Sequence, residues 1–254
     1  VLLAIDVGNT QTAIGVFKTD DLVYHWRIST NRDETADELA VVLSDLLRLE
    51  NLSLKDISSA IVASVVPHCT ASLIEMAEKN LKGKLMVVGP GLKTGMPILY
   101  DNPREVGADR IVNAVAVFKK YGGPTIIVDF GTATTFDVVS EKGEYAGGAI
   151  APGLEIAAEA LFTVAAKLSR VDLKKPDMVI GKNTETSVQS GLIFGFSGLV
   201  DTIVNRMKQE IQGDVKVVAT GGLAPLIVPV CSTVQTIDDL LTLSGLKIIH
   251  EMNS

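Results

Sequence analysis

Cysteine, histidine and tryptophan are scarce in this 254-residue chain, with two, three and one copies. Cys69 and Cys231 stand far apart, without CxxC spacing, which excludes a disulfide framework and a cysteine-ligated metal. Both read as buried thiols in a reducing, cytoplasmic compartment. His25, His68 and His250 show no ligand spacing and read as structural or exposed side chains. Basic charge is short as well: 23 Lys and Arg against 30 Asp and Glu give a net charge of −7. Together with the lack of a helix-turn-helix, that leaves no footprint for nucleic acid. No apolar run approaches the roughly 18 residues of a membrane span, and residues 1–5 carry no basic leader. Neither a membrane nor an export route is expected. With 47% hydrophobic and 21% charged residues, the chain has enough apolar surface for one large or two moderate cores, which excludes disorder.

What is present is a repeat. Residues 3–17 read LAIDVGNTQTAIGVF and residues 126–140 read IIVDFGTATTFDVVS. Each is an apolar strand, Asp-x-Gly, a few hydroxyl or amide residues, and a second apolar strand. Aligned by residue type, Asp6 and Gly8 match Asp129 and Gly131, while Thr12 and Val16 match Thr135 and Val139. Either copy alone is an ordinary hairpin. Two copies sharing Asp and Gly suggest phosphate-cradling turns, because small residues at a hairpin tip expose backbone N–H groups. Facing each other, they would make a clamp. An acidic chain can hold a phosphorylated ligand this way, with turn amides and a metal ion neutralising it locally.

The surrounding pattern repeats too. After the first hairpin come a strand over 22–30, an amphipathic helix over 33–51 capped by Asp33 or Thr35, a buried strand over 58–66, a helix over 70–81 and a strand over 84–91. Residues 93–110 are irregular, and a helix from 110 closes at Gly122 and Gly123. The second hairpin follows, then a strand over 145–153, a helix-rich stretch over 153–212, a strand over 215–222 and a closing helix from 240. This order predicts an α/β fold of two duplicated lobes, 1–118 and 119–254, with mixed sheets flanked by helices. It is the plan of the actin, hexokinase and Hsp70 superfamily, in which ribonuclease H-like (actin-like ATPase) lobes hold a nucleotide. The fold alone does not fix the reaction.

Three places carry chemistry. The turn Asp6-Val7-Gly8-Asn9-Thr10 and the turn Asp129-Phe130-Gly131-Thr132-Ala133-Thr134 combine carboxylates, glycine and hydroxyls, as phosphoryl transfer with Mg²⁺ requires. Asp129 reads as a Mg²⁺ carboxylate. Thr220-Gly221-Gly222 would admit a nucleoside close to the backbone. Tyr100 and the run Asn102-Pro103 to Gly107-Ala108-Asp109-Arg110 place a carboxylate beside a guanidinium. Such a pair can take a proton from an acceptor hydroxyl and grip a substrate carboxylate. Asp109 as a helix cap is an equally good reading.

In this order DVGNT (6–10), ASVVP (63–67), NPxxVGADR (102–110), DFGTATT (129–135), GGAIAPG (147–153), GKNTE (181–185) and TGG (220–222) resemble type III pantothenate kinase from end to end. The resemblance implies ATP phosphates at Asp6, Val7, Gly8, Asn9, Thr10, Gln11, Thr12, Ala13 and Thr132. It implies pantothenate at Tyr100, Gly107, Ala108, Asp109, Arg110 and Thr184, with Asp109 as general base. It also implies K⁺ or NH₄⁺ at Asp129, Mg²⁺ with ATP, and a cytoplasmic homodimer. From the residues themselves, Thr184 would pass as a helix N-cap. Two rivals are another phosphotransferase of the same superfamily and a non-catalytic accessory regulator.

Overall fold

The strands over 2–7, 59–64 and 125–130 are near-continuous apolar runs because they are buried on both faces, whereas the edge strands over 21–29 and 145–152 alternate. The computed structural model describes residues 1–165 and 168–254. In chain order the elements are β1 (Leu2–Val7), β2 (Gln11–Lys18), β3 (Asp21–Ser29), α1 (Ala36–Leu49), β4 (Ser59–Ser64), α2 (Pro67–Asn80), β5 (Leu85–Val87) and α3 (Ala108–Tyr121). They continue with β6 (Thr125–Phe130), β7 (Ala133–Val139), β8 (Tyr145–Pro152), α4 (Leu154–Val164) and α5 (Thr184–Glu210). Then come β9 (Lys216–Thr220), α6 (Ala224–Ile227), β10 (Thr236–Ile237) and α7 (Leu241–Glu251).

Two five-stranded sheets result, ordered β3-β2-β1-β4-β5 and β10-β9-β6-β7-β8. Written from the other edge, the second is the first over again: three antiparallel strands, then two added in parallel. The duplicated mixed-sheet design expected from the sequence is therefore present. Each sheet has its own apolar core. Leu3, Ile5, Val7, Ile14 and Val62 pack with Leu43, Leu47, Leu73 and Met76 of α1 and α2. Ile126, Val128 and Phe136 pack with Leu154 of α4 and with Val188, Ile193, Val200 and Val204 of α5.

The chain clusters into two compact units that do not follow a single cut near residue 118. One comprises 1–96, 100–116 and 241–254; the other comprises 97–99 and 117–240. The closing helix α7, expected in the second lobe, packs on β1, β2 and β4 of the first. Gly15 makes room for it, since a Cβ there would lie 3.0 Å from Leu243 Cδ1. Gly245 on α7 lies against the Val112 carbonyl of α3, so glycines admit close backbone approach on that face.

Local signals explain most boundaries. Thr35 rather than Asp33 caps α1, in a full capping box with Glu38. β4 stops at Ser64, and Pro67 is the first residue of α2. The helix-rich stretch 153–212 is two helices, and its described residues between Ala165 and Asn183 form neither helix nor strand. That segment is tied to α5 by Gln189 Nε2 donating to the Asp172 carbonyl (3.0 Å) and Ser190 Oγ donating to the Val179 carbonyl (2.6 Å). By length and composition α5 could cross a membrane, with a mean hydropathy of 1.3 over its most apolar window. That departs from the expectation of no such run, because an averaged window tolerates Asp201. Val188, Leu192, Ile193, Val200 and Val204 of α5 are buried in the second core, and Phe196, Leu199, Ile203 and Met207 pack against it half-buried.

Candidate active site

In the first unit, β1 and β2 pair from Leu2↔Phe17 to Val7↔Thr12. The four residues Gly8 to Gln11 form the turn, closed by the Gly8 N–H donating to the Gln11 carbonyl at 3.0 Å. Asn9, Thr10 and Gln11 are exposed at the tip, whereas Thr12 is only 9% exposed. A Cβ on Gly8 would lie 2.9 Å from the Gln11 oxygen, so the chain can return this tightly only at glycine. Arg32 Nη2 donates to Asn9 Oδ1 (3.1 Å), bringing a guanidinium to the tip that the sequence had not marked. Thr30, which the sequence offers only as the end of a strand, also reaches this turn.

The run before α3 is ordered by its own side chains. Asn102 Oδ1 accepts from the Arg104 N–H (3.3 Å), and Asn102 Nδ2 donates to Glu105 Oε1 (2.8 Å). The Gly107 carbonyl accepts the first helical bond, from Ile111 N–H at 3.2 Å. Gly107 is thus the cap position and Asp109 lies inside the first turn, where its Oδ1 accepts from the Arg110 N–H at 2.8 Å. Asp109 is therefore not the helix cap that the sequence offered, although its Oδ1 still satisfies one N–H of the first turn. A Cβ on Gly107 would sit 2.5 Å from Asp109 Oδ1 and 3.6 Å from Val65 Cγ1. The Val65 N–H in turn donates to the Val7 carbonyl (3.1 Å). Asp109 is therefore held at the end of the sheet that carries the Asp6–Thr12 turn.

Burial pushes the Asp109 carboxyl above the usual carboxylate range, against the Arg110 N–H and the Arg110 positive charge, which both lower it. A carboxylate raised in this way is a better proton acceptor at neutral pH than an exposed one. Arg110 is buried, at 7% exposure, while Tyr100 and Ala108 are half-buried in the same unit.

In the second unit, β6 and β7 pair from Thr125↔Val139 to Phe130↔Thr134. Their turn is Gly131 to Ala133, three residues, closed by the Gly131 N–H on the Ala133 carbonyl at 3.1 Å. Thr132 is half-buried. Gly153 backs it, with its α-carbon so near the Thr132 and Gly131 carbonyls that a side chain would collide. Gly221, at φ +92°, packs so closely that a Cβ there would lie 2.5 Å from Asp129 Oδ1 and 2.6 Å from the Phe130 carbonyl, an approach only glycine allows. Among the described residues no three or more His, Cys, Asp or Glu cluster as metal ligands.

Behind this turn Asp137 is fully buried and accepts from Tyr145 Oη (2.6 Å) and Thr135 Oγ1 (3.2 Å). Thr184 is exposed at the first turn of α5. It is not the N-cap: Asn183 is, with its Oδ1 accepting from the Thr186 N–H at 2.8 Å. The expected site residues thus divide by unit, with Asp6–Ala13, Tyr100 and Gly107–Arg110 in the first and Asp129, Thr132 and Thr184 in the second.

The sequence profile of the family described as type III pantothenate kinase matches residues 2–206. A protein named type III pantothenate kinase from Moorella thermoacetica is 55% identical over 254 residues, covering 100% of both chains. Among solved structures, one assigned to the Baf family of transcriptional activators, from Campylobacter jejuni, superposes with a TM-score of 0.61. It is 19% identical and covers 99% of this chain and 98% of that one. An inorganic polyphosphate/ATP-glucomannokinase from Arthrobacter sp. strain KM superposes with a TM-score of 0.53 at 13% identity, covering 100% and 99%. At such identities the structures share the fold alone, that of actin-like ATPases and sugar kinases.

Proposed function

The chain belongs to the type III pantothenate kinase family, and from that premise we propose how its residues carry out the reaction. The activity is ATP-dependent phosphorylation of pantothenate to 4′-phosphopantothenate, the first step of coenzyme A biosynthesis. ATP and pantothenate are the substrates, and a divalent cation accompanies ATP.

The observation that carries the mechanism is the raised, half-buried Asp109 carboxylate set beside the end of β1. Asp109 takes the proton from the primary hydroxyl of pantothenate as that oxygen attacks the γ-phosphorus. The bond from phosphorus to the β,γ-bridging oxygen breaks in line, and ADP leaves. Residues 6–13 hold the phosphates through turn amides and the exposed side chains of Asn9, Thr10 and Gln11, and Thr132 adds a hydroxyl. Gly107 and Ala108 let the substrate lie close to the backbone, and Tyr100 and Thr184 contact it. Arg110 fixes its carboxylate by charge-assisted bonds.

For the cation site we favour Asp129, as the family resemblance implies, as the place for K⁺ or NH₄⁺. A bound monovalent cation would offset phosphate charge there. Mg²⁺ stays with the nucleotide. We also place the enzyme in the cytoplasm as a homodimer. The exposed α5 face supports this, since Gly191, Gly195 and Gly198 there have nothing within 4 Å of a built Cβ. Such a face suits close helix–helix contact. A monomer by sedimentation would remove the dimer.

The test of function is ADP release from ATP with and without pantothenate, in K⁺ and in Na⁺. Pantothenate-dependent release that weakens in Na⁺ is expected. Release indifferent to pantothenate would overturn the kinase reading, and indifference to the cation swap would overturn the Asp129 site.

A further inference from the structure

Thr30 lies one residue beyond β3, the edge strand of the first sheet, yet it makes three contacts with the nucleotide turn. Its N–H donates to the Thr10 carbonyl at 2.9 Å. Its hydroxyl donates to the Gly8 carbonyl at 2.8 Å. The same oxygen lies 2.9 Å from Thr12 Oγ1.

The proton inventory fixes the direction of this chain. A threonine hydroxyl has one hydrogen, and a carbonyl can only accept. Thr30 therefore spends its proton on Gly8, and the Thr12 hydroxyl must donate to Thr30. The two bonds run Thr12 to Thr30 to the Gly8 carbonyl, each polarising the next. The Thr12 proton is then engaged inside the protein, so its hydroxyl is not a donor to a phosphate.

The tip residues Asn9, Thr10 and Gln11 are exposed, so little packs against them and directional bonds set where the turn amides point.

We propose that Thr30 is the positioning residue of the nucleotide turn: it clasps Gly8, Thr10 and Thr12 so that the exposed tip is organised before ATP arrives. This rests on the reading of residues 6–13 as the phosphate site. Preorganisation of this kind acts on nucleotide affinity and leaves the acceptor site untouched.

Thr30→Val keeps the branched shape and the backbone N–H but removes the hydroxyl, leaving the Gly8 carbonyl and Thr12 hydroxyl unmatched. ADP affinity by calorimetry and KM for ATP should weaken about tenfold, the worth of one lost part-buried hydrogen bond. KM for pantothenate should stay within about twofold, and Thr30→Ser, which restores the hydroxyl, should recover the affinity. Wild-type ADP affinity from Thr30→Val would overturn the clasp. So would equal losses from Val and Ser, or a parallel rise in both KM values, because each marks a merely structural residue. If wild-type protein binds no ADP, the phosphate-site reading fails instead.

Hydrogen exchange on the wild-type protein keeps the proposal testable should Thr30→Val not fold. ADP should slow exchange at Thr30 together with residues 8–12. Protection of the turn with Thr30 unchanged would overturn it.

Discussion

The two Asp-x-Gly hairpins share a scaffold and differ at the tip. β1 and β6 have the same residue-by-residue burial, with only the Asp position less than fully buried: Asp6 in one, Asp129 in the other. Both are central strands with an antiparallel partner on one side and a parallel one on the other. The first turn, however, has four residues between Val7 and Thr12, and the second has three between Phe130 and Thr134. The first is fastened by a side-chain hydroxyl from an edge strand. The second is enclosed by glycine backbone, with Gly153 against its carbonyls and Gly221 against Asp129. Duplication thus keeps the strands, which the sheet constrains on both edges. The turn, which no strand partner registers residue by residue, is free to change length and task. On our reading one turn grips phosphate, the other seats a cation, and the residue that activates the acceptor, Asp109, has no counterpart in the repeat.

The largest effect should fall on the unrepeated residue. Asp109→Asn should lower kcat by roughly 10²–10⁴, the usual worth of a general base, with ADP affinity unchanged. Near-normal turnover would remove the proton-acceptor role. Because burial raises the Asp109 pKa above its unfolded value, the folded state holds this proton more tightly than the unfolded chain does. Its ionisation therefore costs stability as pH rises through the raised value, and Asp109→Asn should not lower Tm at neutral pH. By the same sign, kcat/KM of the wild type should fall as pH drops through an apparent pKa above the ordinary carboxylate range. A fall only at the ordinary value would contradict a buried base.

A smaller effect is expected at the second turn. Gly221→Ala presses a Cβ at φ +92° against Asp129 Oδ1 and the Phe130 carbonyl, a collision added to a backbone strain of about 1–2 kcal/mol. Tm should drop, and the difference between K⁺ and Na⁺ in ADP release should shrink. An Ala variant that keeps the full cation response would move the K⁺ site elsewhere.

The sequence reached the strands, the repeat, the Thr35 cap and the Asp109 run because each is written in consecutive residues. Its alignment of the hairpins was out of register past the glycines. Residue type pairs Thr12 with Thr135, but strand pairing puts Thr12 opposite Val7 and Thr134 opposite Phe130. Thr12 and Thr134, at 9% and 1% exposure, are the equivalent buried threonines. Turn length is a property of pairing between strands, and one strand's letters do not carry it. Thr30 was missed for the same reason: its partners lie 18 to 22 residues earlier in the chain. The seat of α7 on the first sheet was missed because no local pattern says which of two similar sheets a terminal helix will cover.

The inequality of the two turns is tested most directly by one side-by-side measurement, the ADP affinities of Gly8→Ala and Gly131→Ala by calorimetry. A Cβ on Gly8 would meet the Gln11 carbonyl at 2.9 Å, whereas one on Gly131 finds ordinary contacts, at 3.6 Å to the Ala133 carbonyl and 3.7 Å to Asp129 Oδ1. Gly8→Ala should weaken ADP about tenfold or more, since strain of this kind costs roughly 1–3 kcal/mol, and Gly131→Ala should bind within about twofold of wild type. Equal losses in the two variants would mean that the turns are equivalent jaws after all.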